Sequence, residues 1–155
     1  MLFRSDGGFL PTEAEWNYAA AGGGEMDGQR EYPWGSGIDP SYANYDCTGD
    51  GSAAGQCAKS DILPVGARPN GNGKWGQADL AGSMWEWNLD WYKALPFPMI
   101  PCNNCANTKD VNASTRVTRG GSFYNLASFP RAATRSGDPP TFRGYGTGAR
   151  CLRTP

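Results

Sequence analysis

From Gly22 to Asp79 the chain shows almost no hydrophobic periodicity, helical or strand-like. Turn signals punctuate the stretch instead: Tyr32-Pro33-Trp34-Gly35, Asp39-Pro40, Gly49-Asp50-Gly51 and Pro69-Asn70-Gly71-Asn72-Gly73. A structureless loop of that length is uncommon inside a compact domain. Something must order it, and buried aromatics, glycine turns, a disulfide or bound ions are the available means. The composition agrees, with 22 Gly and 12 Pro beside 12% aromatic residues. The segment therefore predicts ordered loops with a few short strands, pinned by large side chains. The whole chain, 155 residues, allows one domain with a real core and is too short for a typical TIM barrel.

The sequence contains no histidine. That excludes a Ser-His-Asp triad, a Cys-His pair and any His-ligated zinc, iron or copper. Acid–base chemistry would have to use Asp, Glu, Lys, Tyr or Cys. A net charge of −1 argues against a nucleic-acid partner. No apolar run approaches the ~18 residues that a membrane span needs. Met1-Leu2-Phe3-Arg4-Ser5-Asp6 lacks the apolar region of a signal peptide.

Five cysteines are present. Cys47 and Cys57 bracket a polar loop, and a disulfide between them would remove roughly 2.5–3 kcal/mol of unfolded-state entropy. Cys102-Asn103-Asn104-Cys105 is a CxxC that reads as a tight disulfide or two free thiols. No second CxxC accompanies it to make a zinc site, and no βαβ pattern surrounds it to make a thioredoxin-like pair. Cys151 is left over. Loop-closing spacings favour an oxidising, extracytoplasmic compartment, and nothing else in the sequence bears on location.

Thr12-Glu13-Ala14-Glu15 is a capping box, with Trp16, Ala19 and Ala20 at helical spacing and Gly22-Gly23-Gly24 as a stop. It predicts a helix over 13–21. Asp79-Leu80-Ala81-Gly82 reads as one helical turn. Met84 to Trp91 then alternates strictly, with Trp85, Trp87, Leu89 and Trp91 on one side and Met84, Glu86, Asn88 and Asp90 on the other. This is the clearest strand, its three indoles anchoring one layer. Further strands are expected over 116–123, before or through Gly120-Gly121, and over 148–152. Residues 124–147, polar and rich in Pro and Gly, read as loop.

Several motifs occur in a fixed order. They are Leu10-Pro11-Thr12-Glu13-Ala14-Glu15-Trp16, Tyr32-Pro33-Trp34-Gly35, Tyr42-Ala43-Asn44-Tyr45, Pro64-Val65-Gly66, Asp79-Leu80-Ala81-Gly82-Ser83-Met84-Trp85-Glu86-Trp87, Asp90-Trp91-Tyr92, Arg116-Val117-Thr118-Arg119-Gly120-Gly121-Ser122-Phe123 and Gly148-Ala149-Arg150-Cys151. Together they resemble the formylglycine-generating enzyme (sulfatase-modifying factor) family, from about Leu10 to Arg153. The resemblance implies a single α+β domain with an irregular, loop-rich, C-type-lectin-like fold and bound calcium. The family domain is usually longer, so the chain is expected to lack the part preceding Leu10. In some family members the cysteine equivalent to Cys151 pairs with one in that part.

The family's enzymes oxidise a sulfatase cysteine to formylglycine with oxygen and copper. Copper(I) needs soft thiolates, which the family supplies as two cysteines just after the RGGS motif. Here Asn125 and Pro130 stand at those places. Copper is therefore not expected, and no catalytic residue is carried over. Other branches, among them variable proteins diversified by retroelements, use this region as a ligand-binding surface. Tyr124, Asn125, Ser128, Phe129, Arg131, Arg135, Asp138, Phe142, Arg143 and Tyr145 suit such a surface, mixing aromatic and hydrogen-bonding groups. Arg131 and Arg135 match arginines that the family generally keeps, so a bracing role stands beside the binding one.

For calcium, the resemblance implies two oxygen-ligand sites. One would use Ser83, Met84 and Glu86, with Ser83 standing where the family has Asn. The other would use Asn44, the Tyr45 carbonyl and either Asp61 or Asp50. The expected function is a binding module for a protein or small-molecule ligand through residues 124–147. The alternatives are a sulfatase-modifying oxidase or diverged oxidoreductase of the family, and a structural accessory domain.

Overall fold

The computed structural model describes residues 7–23, 28–94 and 106–153. The CxxC at Cys102 and Cys105 lies outside these residues. The capping box forms as its sequence dictates: Thr12 Oγ1 accepts from the Glu15 amide at 3.1 Å, and Glu15 accepts from the Thr12 amide at 2.8 Å. Helix α1 runs Glu13–Ala21 and ends at Gly22, which adopts φ +85°. Trp16, Ala20 and Ala21 face inward and meet Leu80 and Ala132 in the core.

Four strands make one sheet: β1 (Trp85–Trp91), β2 (Arg116–Arg119), β3 (Arg135–Asp138) and β4 (Thr147–Gly148). Their spatial order is β3-β2-β1-β4. β2 runs antiparallel to both β1 and β3, while β4 lies parallel to β1. Glu86 pairs with Arg119 and Trp87 with Thr118, after which the ladder is irregular up to Trp91 and Arg116. Outside the sheet, Phe9 and Leu152 form an antiparallel bridge that ties the two ends of the described chain together.

The alternation over β1 is real, but its burial is the reverse of a simple hydrophobic strand. Glu86, Asn88 and Asp90 are buried, whereas Leu89 is exposed and Trp87 and Trp91 are half-buried. Of the three indoles expected to anchor a layer, only Trp85 is fully inside. The polar side wins because other segments bring donors to it. Asp90 accepts from the Glu13 amide at 2.7 Å and from the Asn107 amide at 2.7 Å. Glu86 accepts from the Trp16 indole at 2.7 Å. Trp91 instead lies beneath Arg116, whose guanidinium sits 3.7 Å from the ring centre.

Other expectations also shift. Asp79–Gly82 is a series of bends and not a helical turn, with Asp79 at φ +56° and Gly82 at +73°. The Gly82 amide donates to the Gly120 carbonyl, and a Cβ at Gly82 would stand 2.1 Å from the Asn44 carbonyl oxygen. Close backbone approach, not helix propensity, decides this segment. The second strand stops at Arg119 because Gly120 and Gly121 both take positive φ. The last strand is only Thr147–Gly148, and β3 forms inside the region read as loop. Among the described residues of 22–79 there are two short 3-10 turns, Lys59–Asp61 and Pro69–Gly71, and isolated bridges in place of strands. A stack of Tyr32, Trp34 and Tyr42, with ring centres 5.1 and 5.2 Å apart, helps to order it. The Cys47–Cys57 disulfide is present.

A buried ion cluster fastens α1 to the sheet. Arg119 is 2% exposed, stacks over Trp16 and lies 3.6 Å from the Glu13 carboxylate. It donates to Asn17 Oδ1 and to the Ala132 and Thr134 carbonyls. Glu13 also takes a two-pronged contact from Arg135. Burial lowers the Arg119 pKa to about 10, with Glu13 acting in the opposite direction. Replacing Glu13 by Gln leaves two guanidiniums with reduced compensation. The expected loss in urea unfolding is about 3 kcal/mol; a loss below about 0.5 kcal/mol would show the cluster to be incidental.

Candidate functional site

Two neighbouring regions gather the residues singled out from the sequence. The first begins where Gly120 and Gly121 turn the chain out of β2. Ser122 and Phe123 are buried, and from Tyr124 onward the side chains emerge. Asn125 Oδ1 accepts from the Ser122 amide at 2.9 Å and from the Ser122 hydroxyl at 2.8 Å, closing the turn. Pro130 is fully buried. Asn125 and Pro130 are thus parts of the loop's own scaffold.

Tyr124, Leu126, Phe129, Phe142 and Tyr145 are exposed. The Tyr124 and Tyr145 rings meet edge to face at 5.8 Å, and Phe123 packs beneath Tyr124. Phe129 meets Trp85 edge-on at 6.2 Å. Beside them a cleft of about 450 Å³ is lined by Trp87, Phe142, Arg143 and Thr147 among others. Arg143 is exposed and donates to the Pro140 and Phe142 carbonyls, which fixes its head group locally. Ser128 is exposed, its carbonyl accepting from the Thr134 hydroxyl at 3.4 Å.

The arginines separate by role. Arg135 lies in β3 and braces α1 through Glu13, while also donating to the Lys93 carbonyl and stacking over Tyr92. Hydrogen bonding to Glu13, the main influence, raises its pKa. Arg131 is exposed and forms a 3.2 Å ion pair with Glu31. Asp138 accepts from Thr118 across the β2–β3 pair.

The second region is a cavity of about 480 Å³ between the 62–65 loop, the 78–86 segment and β4. Asn44, Ser83, Met84 and Glu86 all line it. Of the second group of oxygen ligands expected from the sequence only Asn44 reaches this hollow, and Tyr45, Asp50 and Asp61 do not line it. The Ser83 amide donates to the Asn44 carbonyl at 2.8 Å.

At one end, Asn44 is buried and donates from Nδ2 to the Asp61 carbonyl at 2.6 Å. Its Oδ1 is buried without a hydrogen-bond partner. Asp61, fully buried, accepts from the Asp50 and Ala58 amides at 3.2 and 2.8 Å. Asp50 is exposed and bonded to Ser60 and Ser52. Asn44 thus meets Asp61 through the latter's backbone carbonyl, while both Asp61 carboxylate oxygens receive amides. The Tyr45 carbonyl accepts from the Thr48 amide and hydroxyl, and burial raises the Tyr45 phenol pKa.

At the other end, Glu86 is held by Arg150. The guanidinium donates to Oε2 at 2.9 Å and to Oε1 at 2.7 Å, and it also reaches the Ala78 carbonyl. Burial, the largest influence, pushes the Glu86 carboxyl above its ordinary value, against the pull of Arg150 and Trp16. With both oxygens engaged and a cation of the chain already in place, the Glu86 carboxylate is a poor fit for a metal ion. Among the described residues, no three acidic or cysteine side chains converge in a metal-holding group.

Arg150 is the functional-looking residue that residue-level reading missed. Its only signal was the Gly148-Ala149-Arg150-Cys151 motif, and its partner lies 64 positions away. Trp87 and Thr147 line the cleft, yet from the sequence Trp87 reads only as a strand position and Thr147 as the last residue of a loop. Neither carries a signal for exposure.

Among the described residues, one capped helix and a small mixed sheet within a mostly irregular α+β unit define the class. The sulfatase-modifying factor enzyme 1-like domain model matches residues 6–155, and the chain belongs to that family. It is 34% identical over 155 residues to a formylglycine-generating enzyme of Thermomonospora curvata, covering 94% of this chain and 49% of that protein. It is 32% identical over 155 residues to an inactive C-alpha-formylglycine-generating enzyme 2 of Bos taurus, covering 92% of this chain and 42% of that protein. Among solved structures it resembles Treponema denticola variable protein 1, with TM-score 0.64 and 25% identity over 93% of this chain and 46% of that one. The chain thus spans about half or less of the length of these relatives. Among the described residues, no helix is long and apolar enough to cross a membrane.

Hydrogen bonds from Ser60, then Ser52, lower the exposed Asp50 pKa from the ordinary 3.8 to about 2. The stabilisation these bonds bring is present above 3.8 and is lost as pH falls through about 2. An NMR titration of Asp50 is expected to have its midpoint near that lower value, and Ser60→Ala to return it toward 3.8. A wild-type midpoint at 3.8 would remove this account of the loop.

Proposed function

We propose that this chain is a binding module of the family, presenting residues 124–147 to a protein or small-molecule ligand without a copper–cysteine oxidase site. The carrying observation is the loop after Gly120-Gly121. Asn125 is spent on closing its own turn and Pro130 is buried, while the aromatic side chains between and beyond them face outward. Neither an amide already bonded to Ser122 nor a proline offers copper(I) a soft ligand. Copper therefore does not fit the residues at these two places. The surface itself suits adaptable recognition, because Tyr124, Phe129, Phe142 and Tyr145 bring large contact area at small entropic cost. The name of the bovine relative, which calls that protein inactive, supports a family domain outliving its chemistry.

Arg131 and Arg143 supply hydrogen-bonding cations at the rim of this surface. Ser128 adds a small polar contact. Arg135 and Asn125 hold the loop from behind. Panels of peptides and small molecules are expected to yield a saturable binder that Tyr145→Ala weakens about tenfold. An absence of any specific binder would favour a structural accessory role.

The second reading is an oxidase or diverged oxidoreductase, favoured by the formylglycine-generating enzyme among the relatives. Copper(I) titration with a sulfatase-derived cysteine peptide separates the two. The expected result is weak copper binding and no turnover. Tight binding with formylglycine formation would overturn the binding-module reading.

Calcium belongs to the same proposal, at the Asn44 end of the larger cavity. Asn44 Oδ1 is an orphaned buried oxygen and carries the proposal. The Tyr45 carbonyl, already shared with Thr48, and the Asp61 carboxylate, already shared with the Asp50 and Ala58 amides, would each have to give the ion a second lone pair. A bound cation would cross-brace the 44–61 loop. Excess chelator is expected to lower the melting temperature by several degrees, about 4 °C for each 1 kcal/mol of binding linkage lost. An unchanged melt would remove calcium from the account.

A further inference from the structure

We propose that the Cys47–Cys57 disulfide is a thiol–disulfide exchange site, and that its reduction loosens the 122–129 surface. The proposal rests on the binding reading of that surface and adds its regulation.

Three observations carry it. First, the disulfide is joined directly to the surface loop. The Asp46 amide donates to the Asn125 carbonyl at 2.8 Å, and the Cys47 amide donates to the Phe123 carbonyl at 2.7 Å. These bonds hold both ends of the turn from which Tyr124 projects. Second, the backbone that makes them sits in a left-handed conformation. Asp46 has φ +49° and Cys47 φ +58°, and neither is glycine. Two such residues in succession persist only when their surroundings hold them there. The holding contacts are the crosslink, with Cα atoms 4.7 Å apart, and the Gly55 amide on the Asp46 carbonyl at 2.9 Å. Third, the two cysteines differ in access. Cys47 is fully buried, whereas Cys57 and its neighbours from Gly51 to Ser60 are exposed.

The exchange is therefore directed. A thiolate of a dithiol reductant attacks Cys57 Sγ, the S–S bond breaks, and Cys47 Sγ leaves with the electron pair and takes up a proton. The second thiolate of the reductant then attacks the mixed disulfide. It releases Cys57 as a thiol and leaves the reductant as its own disulfide. Two electrons pass from the dithiol to the protein.

The change stays local because the base of the loop is tied independently. Asp61 holds the Asp50 and Ala58 amides, and Asn44 holds the Asp61 carbonyl. Neither the helix nor the sheet ladder draws on the disulfide.

Amide hydrogen exchange on the oxidised and dithiothreitol-treated full chain tests this, with the Cys47 and Cys57 peptides mapped by alkylation and mass. Exchange at Asp46 and Cys47 is expected to rise about tenfold on reduction. Exchange at Ala132, whose amide donates to the Glu31 carbonyl, is expected to stay unchanged. The Cys47→Ser/Cys57→Ser double variant is expected to match the reduced wild type. Equal rates in both redox states, a disulfide that resists dithiol until the chain is unfolded, or loss of protection throughout the chain would each overturn the proposal. These rates are read without any ligand. A chain that shows the change yet binds nothing loses the binding reading alone.

Discussion

The buried polar face of β1 is the constraint on which the rest of the structure depends. Asp90 holds the first amide of α1, so the helix starts against the strand as well as in its own capping box. Glu86 receives the Trp16 indole from one side and Arg150 from the other, which brings the helix and the C-terminal segment onto the same carboxylate. Burying charge is costly unless every lone pair finds a donor, and here donors arrive from segments far apart in sequence. The α1 interface thus combines a small apolar cluster around Trp16 and Leu80 with a specific set of ionic contacts. Asn88, between the two carboxylates, keeps an unpartnered Oδ1, so the row is not saturated throughout.

Local signals made part of this fold legible. The capping box and its glycine stop delimit α1 because both act within a few residues, and the same is true of the alternation over β1. The Cys47–Cys57 pairing was readable because its loop is short. The inward side of β1 was not readable. Glu86 and Asp90 look like surface residues until Trp16, Arg150, Glu13 and Asn107 are placed around them, and no local pattern announces those contacts. β3 was missed for a related reason. Arg135-Ser136-Gly137-Asp138 has no apolar alternation, and it becomes a strand through pairing with β2 and through Glu13. The Asp79–Gly82 segment failed in the opposite direction: its local pattern suggests a turn of helix, but backbone packing against Asn44 and Gly120 overrides it.

The candidate site shows the same division. The aromatic residues after Gly121 are singled out by type and position, whereas their exposure is known only from the fold. Separating Arg135 from Arg131 required tertiary contacts, since both are arginines in one polar stretch. Asp61 and Asp50 likewise differ only in tertiary terms: Asp61 is buried with its carbonyl on Asn44, and Asp50 lies on the rim with two serines. The scaffold and the surface are therefore distinct sets of residues. The first is fixed by ion pairs and backbone bonds, and the second is left with outward-facing rings.

The polar row on β1 has a consequence for alternative pairings of the sheet. Side chains on a strand alternate, so a slip of one residue would turn Glu86 and Asp90 outward and bring Trp87 and Leu89 against the helix. An apolar inward face also resists that slip, because its side chains would turn to water, but it tolerates a shift of two residues, where one hydrophobic contact replaces another. Here a slip would abandon the helix amide on Asp90 and the guanidinium on Glu86 together, leaving buried donors with nothing to receive them. Carboxylates that add little net stability thus act as an address, excluding neighbouring registers from a chain with few regular elements to exclude them otherwise.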